Sequence, residues 1–143
     1  MTHAARKYLI FTLVGRFYAV DLAQVAEVVE QPAIWPIPVA PPCYPGAMNF
    51  HGTIVAVLDL AMFLGLSSEQ CLLKTIVLDT RIAALGFCVE NIIRITPLGQ
   101  AELSGTPGDE AFALGHLKLL PEGKIILLDA AAIAEHAADT IND

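Results

Sequence analysis

The amino-acid sequence contains one short pattern twice. GAMNFHGTIVAVLDL runs from Gly46 to Leu60, and GHLKLLPEGKIILLD runs from Gly115 to Asp129. In each copy a glycine opens a short apolar run, a second glycine marks a turn, and an aspartate ends another aliphatic run. Upstream, FYAVD at 17–21 corresponds to LGFCVE at 85–90, and the copies are 69 to 70 positions apart. The chain is therefore expected to hold two similar β modules, because two copies are too few for a solenoid or propeller.

The composition is rich in apolar residues and allows two interpretations. A chain of 143 residues corresponds to one folding unit, and 55% hydrophobic residues are ample for its core. Charged residues make up 16% of the chain, below the quarter or so that is typical. The high share of apolar residues is explained either by an exposed apolar patch for a protein partner or by a well-packed β core.

Charge and cysteine usage exclude several functions. The net charge is −7 with eight lysines and arginines, and no stretch gathers enough of them to neutralise a row of phosphates, so nucleic acid is not an expected partner. The aliphatic runs end at Asp59 and Asp129, well short of the roughly 18 residues that span a bilayer, so no direct membrane insertion is expected. Cys43, Cys71 and Cys88 are an odd number at wide spacings, which indicates reduced thiols and a cytoplasmic protein.

Strand-like patterns dominate the first 45 residues. Tyr8 to Leu13 alternates its side chains between two faces and, with Phe17 to Val20, predicts a hairpin. Val25 to Glu30 predicts a further strand that ends before Pro32. Six of the nine prolines then lie in 32–45. This segment is interpreted as a stiff crossover with Trp35 packed against a barrel, with a polyproline ligand as the alternative.

Two helices should follow the repeated aspartates. Asp59 before LAMFL and Gly65 predicts a capped helical turn, and Asp129 before the alanine-rich 130–138 predicts a C-terminal helix. The second half contains equivalent strands, with Asn91 to Ile95 corresponding to Val25 to Val29. Closing such short strands into two barrels removes exposed edges. We expect one domain over 1–143, made of an N-terminal strand 8–13, barrel subdomains 14–66 and 75–128, and a helix 129–138.

No catalytic pattern is found in the sequence. The four histidines share no ligand spacing with one another or with a cysteine, and phosphate-binding and nucleophile-elbow motifs are missing. Cys43 and Cys88 could act as nucleophiles, although cysteine is more often a small buried hydrophobe. We therefore expect no enzyme activity, no metal and no cofactor.

The same segments resemble the CheW-type adaptors of bacterial chemotaxis signalling. Those proteins typically show an "F.L" strand, "YG.D...V.E", a proline-containing loop and "G..N.RG...PV.DL". This chain has Phe11-Thr-Leu13, Tyr18-Ala-Val-Asp21, Val25-Ala-Glu-Val28 and Gly46 to Leu60. The resemblance covers roughly residues 7 to 138 and implies a mainly β fold of two five-stranded barrels with short helices. His51 replaces the usual arginine, and Ala56 replaces the usual proline.

The resemblance also implies partners and a site. The family's first barrel contacts the regulatory domain of a CheA-type histidine kinase, and a groove between the barrels takes the cytoplasmic tip of a chemoreceptor. The matching kinase-facing or receptor-facing positions are Val25, Glu27, Val29, Met48, Asn49 and His51. Other roles are open for three of them. Glu27 could be a solvated strand charge, Asn49 could serve only turn geometry, and His51 could point into solvent. Histidine also lacks the permanent charge and planar fork of arginine.

The expected function is therefore a non-catalytic adaptor that couples chemoreceptors to the kinase in a bacterial chemosensory array near the membrane. The alternative is an autonomous ligand-sensing or enzymatic β-barrel protein that uses the cleft between its halves. A sensor or enzyme should have a deep cleft with converging polar groups, whereas an adaptor should have shallow apolar patches edged with charge.

Overall fold

The structure, a computed structural model, describes residues 6–67, 74–98, 103–104, 112–119 and 121–142. Cys71 lies outside these ranges, as do the other residues of 68–73, between the predicted subdomains 14–66 and 75–128. The strands are β1 Arg6–Leu13, β2 Arg16–Asp21, β3 Val25–Glu30, β4 Gly46–Phe50, β5 Thr53–Asp59, β6 Lys74–Leu78, β7 Leu85–Val89, β8 Asn91–Leu98, β9 Leu103–Ser104, β10 Ala113–Leu119 and β11 Gly123–Leu128. The helices are α1 Leu60–Phe63 and α2 Ala130–Asn142, with a 3₁₀ turn at Leu22–Gln24.

The strands form two mixed sheets. Sheet A has the order β8-β1-β2-β11-β10-β9, and sheet B has the order β3-β6-β7-β5-β4. Each sheet contains one parallel pair, β11 with β2 and β5 with β7, among antiparallel neighbours. The mainly β fold class with two five-stranded units and short helices is confirmed, and β9 adds two residues to one unit.

The internal repeat is visible in the strand register. In sheet B the paired residues Val57, Gly86, Val77 and Glu27 form one row across four strands. In sheet A the equivalent row is Leu127, Ala19, Ile10 and Arg94. Val57 and Leu127 each lie two residues before a repeated aspartate. The register therefore makes Arg94 the counterpart of Glu27, so the predicted correspondence of Asn91–Ile95 with Val25–Val29 was wrong by one residue.

The predicted subdomain boundaries differ from the sheets. The hairpin β1–β2 comes from the first half of the chain but lies in sheet A with β8, β10 and β11. The hairpin β6–β7 comes from the second half but lies in sheet B with β3, β4 and β5. The segments 14–66 and 75–128 therefore do not each build one sheet. Exchange of the two hairpins leaves the local strand patterns unchanged, so those patterns contain no signal for it.

The core has three parts, and β1 contributes to two of them. Its residues Leu9, Phe11 and Leu13 join a large cluster with side chains of both sheets and α2. Tyr8 and Ile10 point to the opposite face, where they pack with β10 and β11 side chains. A third, smaller cluster around Val55 and Val57 lies in sheet B. The predicted alternation of β1 is confirmed, and both of its faces are buried because each sheet has a core of its own.

Both repeated aspartates cap helices, as predicted. Asp59 Oδ1 accepts the Met62 N–H at 3.2 Å, and Asp129 Oδ1 accepts the Ala132 N–H at 3.1 Å. These bonds satisfy first-turn donors that have no partner within the helix. Along α2, the buried residues Ala130, Ile133, Ala134 and Ala137 face the large cluster. None of the helices in the described ranges is long and apolar enough to cross a membrane.

The proline-rich crossover lies along sheet B, but Trp35 is not packed against it. The Trp35 backbone makes two 2.8 Å hydrogen bonds with Ala47 on β4, whereas its side chain is 58% exposed. A Cβ on Gly46 would lie 2.2 Å from the Trp35 carbonyl oxygen, so glycine allows this close approach. The crossover contains no helix, as its prolines predict, and the bridge to Ala47 orients the indole outward.

Candidate partner-binding site

The β4–β5 hairpin turns through two residues, His51 and Gly52. Phe50 pairs with Thr53, and the turn residues have φ angles of 50° and 88°. Two left-handed residues are the pattern of the tight hairpin turn whose twist matches the strands. Asn49 Oδ1 accepts the Gly52 N–H at 2.8 Å. Asn49 thus has the turn-stabilising role that the sequence left open. Asn49 is also exposed beside the turn.

Glu27 and His51 contact each other. Their Oε1 and Nε2 atoms are 3.3 Å apart, and the two side chains are 48% and 73% exposed. The His51 ring also meets Phe50 edge-on, with ring centroids 4.5 Å apart. Because β3 and β4 are the two edge strands of sheet B, this contact connects the two edges of the sheet. At such exposure the contact contributes little to stability, so it mainly positions the two side chains.

The structure places the three apolar candidates differently. Met48 is only 3% exposed and lies in the small cluster of sheet B. Val25 packs against the large cluster, and Val29 packs against the small one. A register shift between Val25 and Glu27 leaves Ala26 as an extra residue on β3, and such a bulge interrupts the alternation of faces. Glu27, Asn49 and His51 are therefore the candidates with exposed side chains close to one another.

Two exposed apolar residues beside them were missed by the sequence reading. Ile54 is 68% exposed and pairs directly with Asn49 across the hairpin. Trp35 pairs with Ala47, two residues before Asn49, and paired residues two apart face the same side of a sheet. The alternation of β5 contained the signal for Ile54, because Val55 and Val57 point inward. We call the five residues Glu27, Trp35, Asn49, His51 and Ile54 the hairpin surface.

Sheet A contains a similar contact, with the basic residue on the edge strand and the acid in the hairpin turn. Arg94, the counterpart of Glu27, donates two hydrogen bonds to Glu122 in the β10–β11 turn, at 2.8 and 3.2 Å. The Glu122 side chain is 6% exposed, and the Arg94 hydrogen bonds hold the pKa of this carboxyl below its ordinary value. An acid–base pair at this position thus connects the edge strand and the hairpin in both sheets.

A groove lies where the chain passes from sheet B to sheet A. It has a volume of about 530 Å³ and is lined by Glu30, Gln31, Lys74, Glu90 and Asn91. Lys74 donates a hydrogen bond to Glu30 and thereby lowers the pKa of that carboxyl. Glu90 Oε1 accepts the Gly15 N–H of the β1–β2 turn at 3.2 Å. Across the described residues, no group of three His, Cys, Asp or Glu side chains is arranged to hold a metal ion.

These features belong to a known class of signalling domain. The family model of the CheW-like domain matches residues 7–138, and the chain belongs to that family. It is 27% identical over 130 residues to the chemotaxis protein CheW of Thermotoga maritima, covering 89% of this chain and 86% of that protein. Its fold is similar to the crystal structure of the scaffolding protein TtCheW from Thermoanaerobacter tengcongensis. The TM-score is 0.80 at 24% identity, over 91% of this chain and 92% of that one.

Proposed function

We propose that this chain is a non-catalytic adaptor that couples chemoreceptors to a CheA-type histidine kinase within a bacterial chemosensory array. Family membership supports the adaptor class, and the hairpin surface supports a protein partner. The observation that carries the proposal is the exposure of Ile54 and Trp35 next to the Glu27–His51 pair. An adaptor contributes binding energy and geometry, so the site needs no reactive group.

The hairpin surface has the layout of a small protein interface. Its apolar members, Trp35 and Ile54, are 58% and 68% exposed, whereas polar and charged groups lie towards the turn. Interfaces typically bury an apolar centre inside a polar rim, and tryptophan is enriched among the residues that dominate binding. The regulatory domain of the kinase is the proposed partner here. Glu27 would set orientation by charge, and the apolar pair would supply most of the affinity.

The groove between the sheets is the proposed position of the chemoreceptor tip. Residues of both sheets line it, and Glu90 connects it to the β1–β2 turn. A helical tip bound there would touch both units of the adaptor. Binding of the kinase to sheet B and of the receptor between the sheets would hold both partners on one chain. Array recruitment would bring the adaptor to the membrane through its receptors.

Substitutions on the hairpin surface test the proposal. Glu27→Lys reverses the charge of the rim, and Ile54→Ala removes exposed apolar area without opening a cavity. Each should weaken binding to the regulatory domain of the CheA-type kinase from the same organism by about tenfold or more. Isothermal titration calorimetry measures the affinity, and thermal unfolding checks the fold.

Glu135→Lys is the matched control, because Glu135 is an exposed acid on α2. This variant changes the net charge as Glu27→Lys does but leaves the hairpin surface intact, so wild-type affinity is expected. Wild-type affinity in both folded test variants would remove the hairpin surface from the interface. A wild-type protein that does not bind the regulatory domain at all would overturn the adaptor proposal.

A further inference from the structure

Val39 lies in a strained turn of the proline-rich crossover. Pro38 and Val39 form the turn, and the φ angle of Val39 is 60°. Proline followed by a left-handed residue is the pattern of a turn that normally has glycine or asparagine at its third position. A β-branched residue is unfavourable there, because its Cβ comes too close to the following carbonyl oxygen. The turn also interrupts the segment from Pro38 to Pro41, which is therefore not a polyproline helix.

Burial of the Val39 side chain does not compensate for this strain, because the residue is fully exposed. Phe112 also has a positive φ angle, but it packs against the large cluster, and Val14 is only half exposed. Glycine has a positive φ angle at four of the described positions, where it causes no such strain: Gly15, Gly52, Gly65 and Gly123. A strained valine in solvent lowers stability without a gain inside the protein, and strain of this kind is concentrated at functional sites.

Both ends of the crossover are attached to sheet B, which fixes the position of the Val39 turn. Before the turn, Trp35 is hydrogen-bonded to β4 through its backbone. After the turn, the Cys43 carbonyl oxygen accepts the Asp59 N–H at 2.7 Å. Four of the seven residues in 36–42 are prolines, and each proline fixes its own φ angle. A side chain that is held in this way loses little conformational entropy when it binds a partner.

We propose that Val39 is an apolar anchor that inserts into an apolar pocket of the kinase regulatory domain, next to the hairpin surface. The inference rests on the proposed function, since it assigns Val39 to the partner of the hairpin surface. Trp35 belongs to that surface and is four residues from Val39, so their Cα atoms are at most roughly 14 Å apart. An interface of standard size covers about 800 Å² per partner and is roughly 30 Å across, so one centred on Trp35 reaches Val39.

The chemistry around the turn indicates an uncharged pocket. The twenty residues of 31–50 include no Asp, Glu, Lys, Arg or His. The centres of protein interfaces are likewise depleted of charged residues, whereas their rims are polar. Val39 would thus add a second apolar contact beyond Trp35 and Ile54, with Glu27 at the rim. A single valine has too little apolar area to hold the chain at a bilayer, which argues for a protein pocket.

Val39→Asn tests the anchor, because stability and affinity should change in opposite directions. Asparagine tolerates the left-handed region, so the Tm should rise by about 3 °C. Loss of the valine side chain from an apolar pocket should weaken binding to the kinase regulatory domain about tenfold. Calorimetric titrations with the full-length chain in about 50 mM and about 500 mM salt measure this loss. It should be equal at both, because salt does not screen an apolar contact.

Two further variants separate the side chain from the strain. Val39→Ile keeps an apolar β-branched residue in the same turn, so its affinity should stay within about threefold of the wild type and its Tm should not rise. Val14→Asn is the matched control, because Val14 has a φ angle of 50° in the β1–β2 turn of sheet A. This variant should also raise the Tm, but it should bind the regulatory domain as the wild type does.

The possible contrary results are distinguishable. If Glu27→Lys weakens binding but Val39→Asn binds like the wild type, this inference is overturned and the proposed function stands. Equal weakening by Val39→Asn and Val39→Ile, or by Val39→Asn and Val14→Asn, would also overturn it, as would an unchanged Tm of Val39→Asn. A wild type that does not bind the regulatory domain would overturn both proposals. Sedimentation that shows a dimer of the wild type but not of Val39→Asn would assign Val39 to a second copy of the chain instead.

Discussion

Tyr44 connects the end of the proline-rich crossover to the C-terminal helix. Its hydroxyl donates a 2.7 Å hydrogen bond to the Ala137 carbonyl oxygen, and the residue is 5% exposed. Tyr44→Phe removes this bond without changing the ring volume, so about 1 kcal/mol of stability should be lost. For 143 residues the unfolding entropy is about 0.3 kcal/mol/K, which converts the loss to a Tm decrease of roughly 3 °C.

The pH dependence gives this prediction a second readout. Burial raises the pKa of Tyr44 to about 12, above the value of about 10 for an unfolded chain. Below pH 10 both states keep the proton. Between pH 10 and 12 the unfolded chain loses it while the folded protein keeps it, so the contribution of the hydroxyl falls as pH rises. The Tm advantage of the wild type over Tyr44→Phe should shrink to about zero near pH 11. Scanning calorimetry of both proteins at pH 7, 9 and 11 decides the matter, and a constant difference would refute the argument.

Three further results are expected. Asp59→Ala and Asp129→Ala should each cost about 1 kcal/mol in denaturant unfolding, because each removes a helix-capping oxygen, and unchanged midpoints would contradict the capping role. His51→Arg should raise affinity for the kinase regulatory domain, because a guanidinium adds a permanent charge and further donors beside Glu27; identical affinities would leave His51 without a binding role. Glu122→Gln should make the stability of the protein less sensitive to acid, because Arg94 lowers the pKa of Glu122. The stabilisation by ionised Glu122 is present above the ordinary carboxyl pKa and is lost as pH falls through the lowered pKa. Parallel Tm curves of wild type and variant below pH 5 would count against this linkage.

Local features of the fold could be predicted from residue patterns. The alternation of Tyr8 to Leu13 correctly divided that strand between two cores, and the two repeated aspartates correctly marked helix starts. These features depend on neighbours within a few positions, where periodicity and capping chemistry act directly. The exchange of hairpins between the sheets depends on partners distant in sequence. Side-chain alternation is the same whichever strand lies alongside, so no local pattern reveals it.

The candidate site was predictable only in part. The resemblance drew attention to Glu27, Asn49 and His51, and the structure brings them together at one hairpin. Met48 is buried because it points to the opposite face of β4 from Asn49. The bulge at Ala26 could not be read from a single sequence, since an extra residue on one strand is defined only by its partner strand. The outward orientation of Trp35 likewise depends on its pairing with Ala47.

The shared hairpins make each half of the chain incomplete alone. A fragment that ended after α1 would hold β3, β4 and β5 without the β6–β7 hairpin between them, and its own β1–β2 hairpin would have no sheet to join. A fragment that began at β6 would hold β8, β10 and β11 without the β1–β2 hairpin between them, and its own β6–β7 hairpin would have no sheet to join. Two such pieces mixed in solution should complement each other, and two identical half-length chains would meet the same need as a strand-exchanged homodimer. Because one chain carries both halves here, the exchange is intramolecular and independent of protein concentration.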